Sequence, residues 1–311
     1  MKQILVIICV LIAVGVGFTQ HTGELLGYDA DKKLLIINAD DFGMCHAENL
    51  ATMELLKDGH VTSATIMMPC PWVVEAAQFC MENPGLDVGV HLTFTAEWKR
   101  YKWGSVASED KVPSLLNEFG FFPPDIMSVE KSATPEQVEI EMRAQLDKAL
   151  QLGIKPTHFD NHMGSLYGLA TGKHYFEQIF KLAAEYNLPF RLPRNMGENY
   201  RKALPKESII MLEQMTGQLV SRGFVLPDYL ESIDYGKNYK ESFEAFVKLF
   251  KSLKPGVTEL YIHAALPTDE MKAISNAWRN RDFDYRICKS DEIKQVLKDL
   301  NIKLIKWENR I

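Results

Sequence analysis

The stretch LLIINADDFG, residues 34–43, decides the fold prediction. Its four leading apolar residues predict a buried β-strand. They run directly into two adjacent carboxylates, Asp40 and Asp41, at the point where this strand should end. Like charges side by side repel, and a half-buried pair costs more, so the pair calls for a compensating partner.

Beyond this stretch, strand-like runs alternate with helix-like segments. The further strand-like runs are VTSATIMMP, DVGVHLTF, PTHFDNH, LPFRLP, TELYIHAAL and IKLIKW. The segments between them carry helical spacing, with caps and stops such as the Thr-Pro-Glu start of TPEQVEIEMRAQLDKALQLG. Such alternation predicts βαβ units and an α/β fold, here a single distorted (β/α) TIM-like barrel with six or seven parallel strands. No GxGxxG follows the first strand, so a dinucleotide site is not indicated.

The N-terminus differs from the rest of the chain. One lysine precedes an apolar run from Ile4 to Phe18, which is short for a membrane-spanning helix and suits a signal peptide. We expect residues 1–20 to be a signal peptide, with an uncleaved N-terminal anchor as the alternative. The protein would then be exported, either periplasmic or secreted, and would contact a membrane only if the segment stays uncleaved. Residues 21–32 are predicted to be a linker and residues 33–311 a single domain with a long loop at 96–125.

Composition narrows the possible partners. The 311 residues are 46% hydrophobic with a net charge of −6, which is ordinary globular composition without a basic run, so no nucleic-acid binding is expected. After the leader four cysteines remain, Cys45, Cys70, Cys80 and Cys288, and no CxxC pair occurs. We expect them to be free and buried. The oligomeric state is open, a homodimer included.

The polar residues that follow the predicted strands indicate a metal site. Functional residues of parallel barrels lie at the carboxyl ends of strands. Those ends carry Asp40, Asp41, His91, His158, Asp160, His162, Arg191 and His263. Two imidazoles with one carboxylate leave open positions for water and substrate, as in a hydrolytic metal site. One aspartate of the pair could bind the cation and the other serve as a base, provided that the chain turns near Phe42–Gly43 so that both face one site. A solvated helix cap is the alternative explanation of the pair.

Four motifs in this order, NADDFG, VGVHLTF, PTHFDNH and ELYIHAAL, resemble those of the YdjC-like carbohydrate deacetylases, which include the chitooligosaccharide deacetylases. The resemblance spans about residues 33–306. It implies a distorted (β/α) barrel that uses a divalent metal to remove acetyl groups from N-acetylated sugars. It also implies the residue roles: Asp41, His91 and His162 as metal ligands, Asp40 as general base, His263 as general acid, and Arg191 orienting Asp40. The chain departs from the family pattern at Met163–Ser165, where further histidines are common, and at Ala264, where the family has proline.

Other polar and aromatic residues near these motifs have less specific roles. Asp160 suits the task of orienting a ligating histidine, although direct ligation is open. His158 is either a supporting residue of the site or structural. His46, Trp98 and Trp103 are candidate substrate contacts, with a helix cap or the anchoring of the loop as alternatives.

The ligand set does not select one metal. Mg²⁺ and Zn²⁺ are the first candidates, and Mn²⁺, Co²⁺ and Ni²⁺ also suit it. The resemblance makes an N-acetylglucosamine-type oligosaccharide the expected substrate. The alternatives are a metal-dependent hydrolase of another amide or of a phosphoester, and a non-catalytic exported carbohydrate-binding protein.

Overall fold

The computed structural model describes residues 20–309. The predicted signal peptide therefore lies, except for Gln20, outside the described residues. Within residues 20–309, no helix combines the length and the apolar character needed to cross a membrane.

The described residues form a curled, all-parallel sheet. Its strands are β1 Lys33–Phe42, β2 Ser63–Ile66, β3 Val88–Leu92, β4 Phe159–Asn161, β5 Asn195–Met196, β6 Tyr229–Glu231, β7 Gly256–Ile262 and β8 Ile302–Leu304. Seven strands lie in the order β4-β3-β2-β1-β7-β6-β5, and β8 pairs with the beginning of β1. The predicted α/β class and distorted (β/α) barrel are confirmed.

Helices follow nearly every strand, as βαβ connections require. They are α1 Thr22–Leu25, α2 His46–Lys57, α3 Val73–Glu82, α4 Ile126–Ser132, α5 Pro135–Gln151, α6 Phe176–Tyr186, α7 Glu198–Ala203, α8 Lys206–Ser221, α9 Tyr239–Ser252, α10 Asp269–Ile274, α11 Trp278–Lys289 and α12 Asp291–Asp299. The start of α5 shows the local cause: Thr134 accepts a hydrogen bond from the Gln137 N–H, and Pro135 occupies the first helical position.

The central strand β1 is buried on both faces. Leu34, Leu35, Ile36 and Ile37 are each at most 2% exposed, because β2, β7 and β8 lie beside the strand and helices cover it. Burying each such side chain contributes roughly 1.5–3 kcal/mol. This rigid strand delivers the aspartate pair to the carboxyl edge of the sheet, where the ends of β3, β4 and β7 also lie.

The prediction of a strand at LPFRLP was wrong, and for Trp103 the structure favours the anchoring of the loop over a substrate contact. LPFRLP forms only an isolated bridge, from Phe190 to Phe159, because its flanking prolines cannot donate ladder hydrogen bonds. Trp103 is 3% exposed and donates its indole N–H to the Thr95 carbonyl oxygen at 2.8 Å. It therefore anchors the 96–125 loop in the core and has no face free for a sugar.

The segment predicted to be a linker begins with an anchored helix. The Thr22 N–H donates to both carboxylate oxygens of Asp228, at 3.1 and 2.9 Å, and Thr22 is 1% exposed. The first turn of α1 is therefore tied to the end of the barrel opposite the aspartate pair. The four described cysteines are free and buried, as expected.

Candidate metal centre and active site

The strand β1 loses regular strand geometry at the aspartate pair. Asp41 has a φ of 67°, in the left-handed region that few residues other than Gly, Asn and Asp adopt. The pairing register with β2 shifts between Ala39 and Phe42. As a result, Asp40 Oδ2 and Asp41 Oδ1 lie 4.0 and 3.5 Å from one atom, His91 Nε2. The chain turns as the predicted site requires.

The turn is completed by Gly43 and Asn49. Gly43 has a φ of 89°, and its N–H donates to Asn49 Oδ1 at 2.7 Å. A Cβ on Gly43 would lie 3.3 Å from the Val73 Cα, so the start of α3 leaves little space for a side chain. The departure from strand geometry thus begins at Asp41, one residue before the predicted Phe42–Gly43 turn.

Three predicted metal ligands from three different strand ends converge. Asp41 Oδ1 lies 3.2 Å from His162 Nδ1 and 3.5 Å from His91 Nε2, and the two imidazole nitrogens are 3.3 Å apart. Asp41, His91 and His162 are 0%, 1% and 4% exposed. One cation can therefore reach one donor atom of each residue.

Two further features of these residues fit a cation. Asp41 Oδ1 is buried and accepts no hydrogen bond, which is costly unless an ion or water occupies the space before it. Each imidazole binds a carboxylate through its other nitrogen: His91 Nδ1 lies 2.5 Å from Asp160 Oδ1, and His162 Nε2 lies 3.0 Å from Glu97 Oε2. Such carboxylate–histidine pairs fix the ring and its tautomer in metal sites.

These carboxylates also raise the histidine pKa values in the metal-free protein. Burial alone would lower the pKa of His91, but Asp160 and Asp40 outweigh it and raise the pKa to about 10. Burial likewise opposes protonation of His162, but Glu97 and Asp41 raise its pKa to about 9. Protons and a metal ion therefore compete for the same nitrogens at neutral pH.

Asp40 lies beside the three ligands and is paired with Arg191. Arg191 Nη1 and Nη2 donate to the two oxygens of Asp40 at 2.8 and 2.7 Å, and Nε donates to Glu259 Oε1 at 2.8 Å. Burial would raise the pKa of Asp40, but Arg191 and His91 hold it well below its usual range. Asp40 is thus ionised at neutral pH and oriented by a bidentate pair.

A second group of potential ligands, Asp40, His91 and Asp160, is already paired with the positively charged side chain of Arg191. Arg191 Nη1 lies 2.8 Å from Asp160 Oδ2 as well as from Asp40 Oδ2. The guanidinium therefore supplies the positive charge that a second metal ion would bring. This arrangement favours one metal ion per site.

His263 follows β7 and is held through its backbone. Its N–H donates to Asp284 Oδ2 at 2.9 Å, and its ring meets the edge of Tyr261 with the centroids 5.4 Å apart. Burial lowers its pKa to about 4, although Asp41 and Asp40 act in the opposite direction. The imidazole is therefore neutral at pH 7 in the free protein.

The remaining candidates lie at different distances from the metal ligands. Asp160 orients His91, as described above. His158 bonds Thr157, lies 3.6 Å from Asp87 Oδ1 and stacks on Trp307 with centroids 4.8 Å apart, so its contacts are structural rather than with the ligands. His46 pairs with Glu75 at 2.9 Å and stacks on Trp72, as part of the α2–α3 surface.

A cleft of about 490 Å³ opens beside the ligand set. It reaches Glu97, which binds His162, and it is lined by Glu97, Trp98, Lys99, Arg100, Lys272, Ala273, Ile274 and Asn276. Trp98 is partly exposed on this cleft, whereas Trp103 is buried. Trp98 is therefore the candidate aromatic contact that the structure leaves available to a ligand.

Several residues of the site were not foreseen from the sequence. Glu97 holds His162, Arg281 donates to Asp41 Oδ2 at 2.7 Å, and Asp284 holds the His263 backbone. Glu97 follows the His91 strand within six residues, so its position could have suggested it. Arg281 and Asp284 lie on α11, far from any motif, and no sequence signal marks them.

A parallel barrel with a buried Asp–His–His set at its carboxyl edge and a separate aspartate beside the set is an arrangement typical of hydrolases, and the set could hold a metal ion. The chain belongs to the YdjC-like protein family, whose model matches residues 34–299. The family resemblance inferred from the motifs is thereby confirmed.

Named relatives cover nearly the whole chain. A carbohydrate deacetylase of Thermoanaerobacter pseudethanolicus is 29% identical over 275 residues, 88% of this chain and 98% of the relative. A chitooligosaccharide deacetylase of Yersinia enterocolitica is 27% identical over 88% of this chain and 97% of the relative. A solved structure from Enterococcus faecalis V583, described as a putative cellobiose-phosphate cleavage protein, matches with a TM-score of 0.72 and 28% identity over 89% of this chain and 98% of that chain.

Proposed function

We propose that this protein is a metal-dependent deacetylase that hydrolyses the acetamide of N-acetylglucosamine-type oligosaccharides and releases acetate. The class is supported by the family membership and by the names of the relatives. The observation that carries the metal dependence is the convergence of Asp41 Oδ1 with His91 Nε2 and His162 Nδ1 at 3.2–3.5 Å, with Asp40 left outside the set.

The cation would be held by Asp41, His91 and His162, whose potential ligating atoms face one another. When bound, a divalent cation supplies Lewis-acid chemistry, because it lowers the pKa of a water molecule and polarises a carbonyl group. Zn²⁺ and Mg²⁺ are the candidates that we propose first, since the donor set excludes neither.

Asp40 is the proposed proton acceptor. Arg191 keeps it ionised and fixes its orientation through two hydrogen bonds, so it can take the proton from the attacking water. An aspartate with a pKa this low is a weak base, so the attacking water must itself be acidified. Asp40 can therefore act as the base only when a cation occupies the proposed metal site.

His263 is the proposed proton donor to the leaving amine. Because its pKa is lowered to about 4, it carries no proton at pH 7 before the reaction. We propose that the proton taken from the water reaches the amine through this imidazole. The Asp284 carboxylate holds the His263 backbone N–H and thereby fixes the position of the ring.

The proposed place for the sugar is the cleft beside Glu97. Trp98 offers a partly exposed indole ring there, and sugar rings commonly stack on such aromatic faces. The side chain of Trp98 also lies against Arg281, whose guanidinium carbon is 5.5 Å from its ring centroid. The ring is thereby held in place at the mouth of the site.

The test is acetate release from N-acetylglucosamine oligomers by the purified protein, with a phosphoester such as p-nitrophenyl phosphate as the comparison substrate. We expect acetate release that a strong chelator abolishes, and no phosphate release. Phosphate release alone would favour the phosphoesterase alternative. Tight oligosaccharide binding without acetate release, in metal-loaded protein, would place the protein among the binding proteins instead.

A further inference from the structure

Arg281 is a buried arginine that contacts the metal ligand Asp41 directly. It lies on α11, is 5% exposed, and donates through Nη2 to Asp41 Oδ2 at 2.7 Å. Through Nη1 it donates to Glu48 Oε2, also at 2.7 Å. Asp41 and Glu48 are both fully buried, so neither bond competes with water.

We infer that Arg281 is a positioning residue that fixes Asp41 as a one-oxygen metal ligand. This inference rests on the metal dependence in the proposed function. The two oxygens of Asp41 have different surroundings: Oδ2 is taken by Arg281, whereas Oδ1 accepts no hydrogen bond and faces the two imidazoles. The guanidinium therefore determines which oxygen is left for the cation.

The backbone at Asp41 makes such support necessary. With a φ of 67°, the residue lies in the left-handed region that residues other than glycine rarely adopt. The terminal torsion of an aspartate is broad, so burial alone does not decide which of its two oxygens faces the histidines. The bond from Arg281 makes that choice, and it does so from a helix that is remote in sequence.

Glu48 prevents the guanidinium from rotating. It comes from α2, which begins just after the aspartate turn, so Arg281 bridges α11 to the two segments on either side of that turn. A planar fork with two donors 2.7 Å from two different carboxylates is a geometry that a lysine ammonium cannot reproduce. The arrangement predicts that charge alone is not sufficient at this position.

The same helix also positions the proposed acid. Asp284 lies one turn after Arg281 and accepts the His263 backbone N–H at 2.9 Å and the Tyr235 hydroxyl at 2.6 Å. Asp41 and His263 are thus both hydrogen-bonded to the helix α11, through Arg281 and Asp284 respectively. The helix α11 is in this sense the common support of the metal ligand and the proton donor.

The experiment compares Arg281→Gln, Arg281→Lys and the matched control Arg279→Gln, an exposed arginine on the same helix. Affinity for Zn²⁺ and Mg²⁺ is measured calorimetrically on chelator-stripped protein, and thermal unfolding is recorded without metal. We expect Arg281→Gln to weaken metal binding at least tenfold, as for other supports of metal ligands. Arg281→Lys should fall between it and the wild type, and Arg279→Gln should match the wild type.

Folded Arg281→Gln protein that binds both ions with wild-type affinity would overturn the inference, as would Arg281→Lys indistinguishable from the wild type. If Arg281→Gln does not fold, Arg281→Lys and Glu48→Gln decide in the same way, since wild-type affinity in both would overturn it. Wild-type protein that takes up neither ion would overturn it together with the metal site.

The outcome can be separated from that of the proposed reaction. Acetate release by the wild type tests the reaction, whereas metal affinity tests the role of Arg281. Loss of affinity in Arg281→Gln with no acetate release by the wild type would leave the positioning role standing without the deacetylase. Acetate release by the wild type with unchanged metal affinity in the variants would support the deacetylase reaction and overturn the positioning role of Arg281.

Discussion

At the scale of single residues, each proposed metal ligand has one polar atom bound to a supporting side chain and another that faces the site. Asp41 gives one oxygen to Arg281 and leaves the other free. His91 and His162 each give one nitrogen to a carboxylate and turn the other towards Asp41. These divisions bring three potential metal-ligating atoms to one point, which a sequence pattern alone does not specify.

The support of His91 by Asp160 gives a first prediction. Asp160→Asn keeps the shape of the side chain but removes the charge that orients the ring and increases its basicity. Metal affinity should fall about 10–100-fold, while the unfolding temperature of the metal-free protein stays within the range of an ordinary buried substitution. The exposed Asp58→Asn is the matched control. Unchanged affinity in Asp160→Asn would show that Asp160 does not act on the metal site.

The raised histidine pKa values give a second prediction, for the pH dependence of metal binding. His91 and His162, with pKa values of about 10 and 9, hold protons at pH 7 in the metal-free protein and must lose them to bind a cation. Affinity should therefore rise between pH 6 and pH 8, by up to about tenfold per pH unit for each proton released. Calorimetry in buffers of different ionisation enthalpy counts the protons. Affinity independent of pH would contradict the assigned ligands.

At the scale of elements, the close approach of β3 to β4 brings His91 and Asp160 into contact. The two residues are register partners, and the neighbouring Gly89 makes that pairing possible. A Cβ on Gly89 would lie 2.6 Å from the His158 carbonyl oxygen, a backbone atom that cannot move alone. The close pairing of β3 and β4, and with it the contact between His91 and Asp160, therefore requires glycine at position 89.

Gly89→Ala is the third prediction. It should lower the free energy of unfolding by about 1–3 kcal/mol, the usual cost of overpacking, and weaken metal binding because it separates β3 from β4. Denaturant unfolding measures the first effect and calorimetry the second. Gly85→Ala is the control, since nothing lies within 4 Å of a Cβ there and its φ is not in the left-handed region. Equal stability of the two variants would contradict this packing argument.

Elements with strong local patterns were predictable and those without were not. The apolar run of β1 and the capped, amphipathic sequence of α5 can be recognised from the sequence. The strands β5 and β6 have two and three residues, too few for a periodic pattern. The helix α11 carries Arg281, Asp282 and Asp284 on its buried side, so its core face does not look apolar. Arg281 and Asp284 position the site because they are buried charged residues, and buried charges are also what obscures the apolar pattern of this helix.

At the scale of the whole molecule, the proposed metal site lies where the ends of three strands meet that are far apart in sequence. Asp41 and His91 lie near the ends of β1 and β3, His162 directly follows β4, and a bound cation would link the three across the carboxyl edge of the sheet. The alternation of strands and helices predicted that polar strand-end residues converge, because parallel strands end at one edge, whereas the choice of these three as ligands came from the family resemblance. Which residues support the ligands depends on packing between distant helices and could not be predicted.

Metal removal is the fourth prediction and concerns overall stability. A ligand that binds only the folded state stabilises it by about 2.7 kcal/mol at a free concentration of 100 times its Kd. For a chain of this size that corresponds to roughly 4 °C in Tm. Thermal unfolding with saturating Zn²⁺ and with excess chelator measures the difference. Identical Tm values for the two samples would argue against a structural link between the three strands.

The most direct test of the account is a metal titration of chelator-stripped protein with acetate release as the readout. We predict that acetate release from N-acetylglucosamine oligomers returns in proportion to added metal and levels off at one ion per chain. Asp40→Asn should bind the ion normally and lose about 10²–10⁴-fold in rate, whereas Asp58→Asn should behave as the wild type. Acetate release that persists without metal, or that survives in Asp40→Asn, would contradict the account.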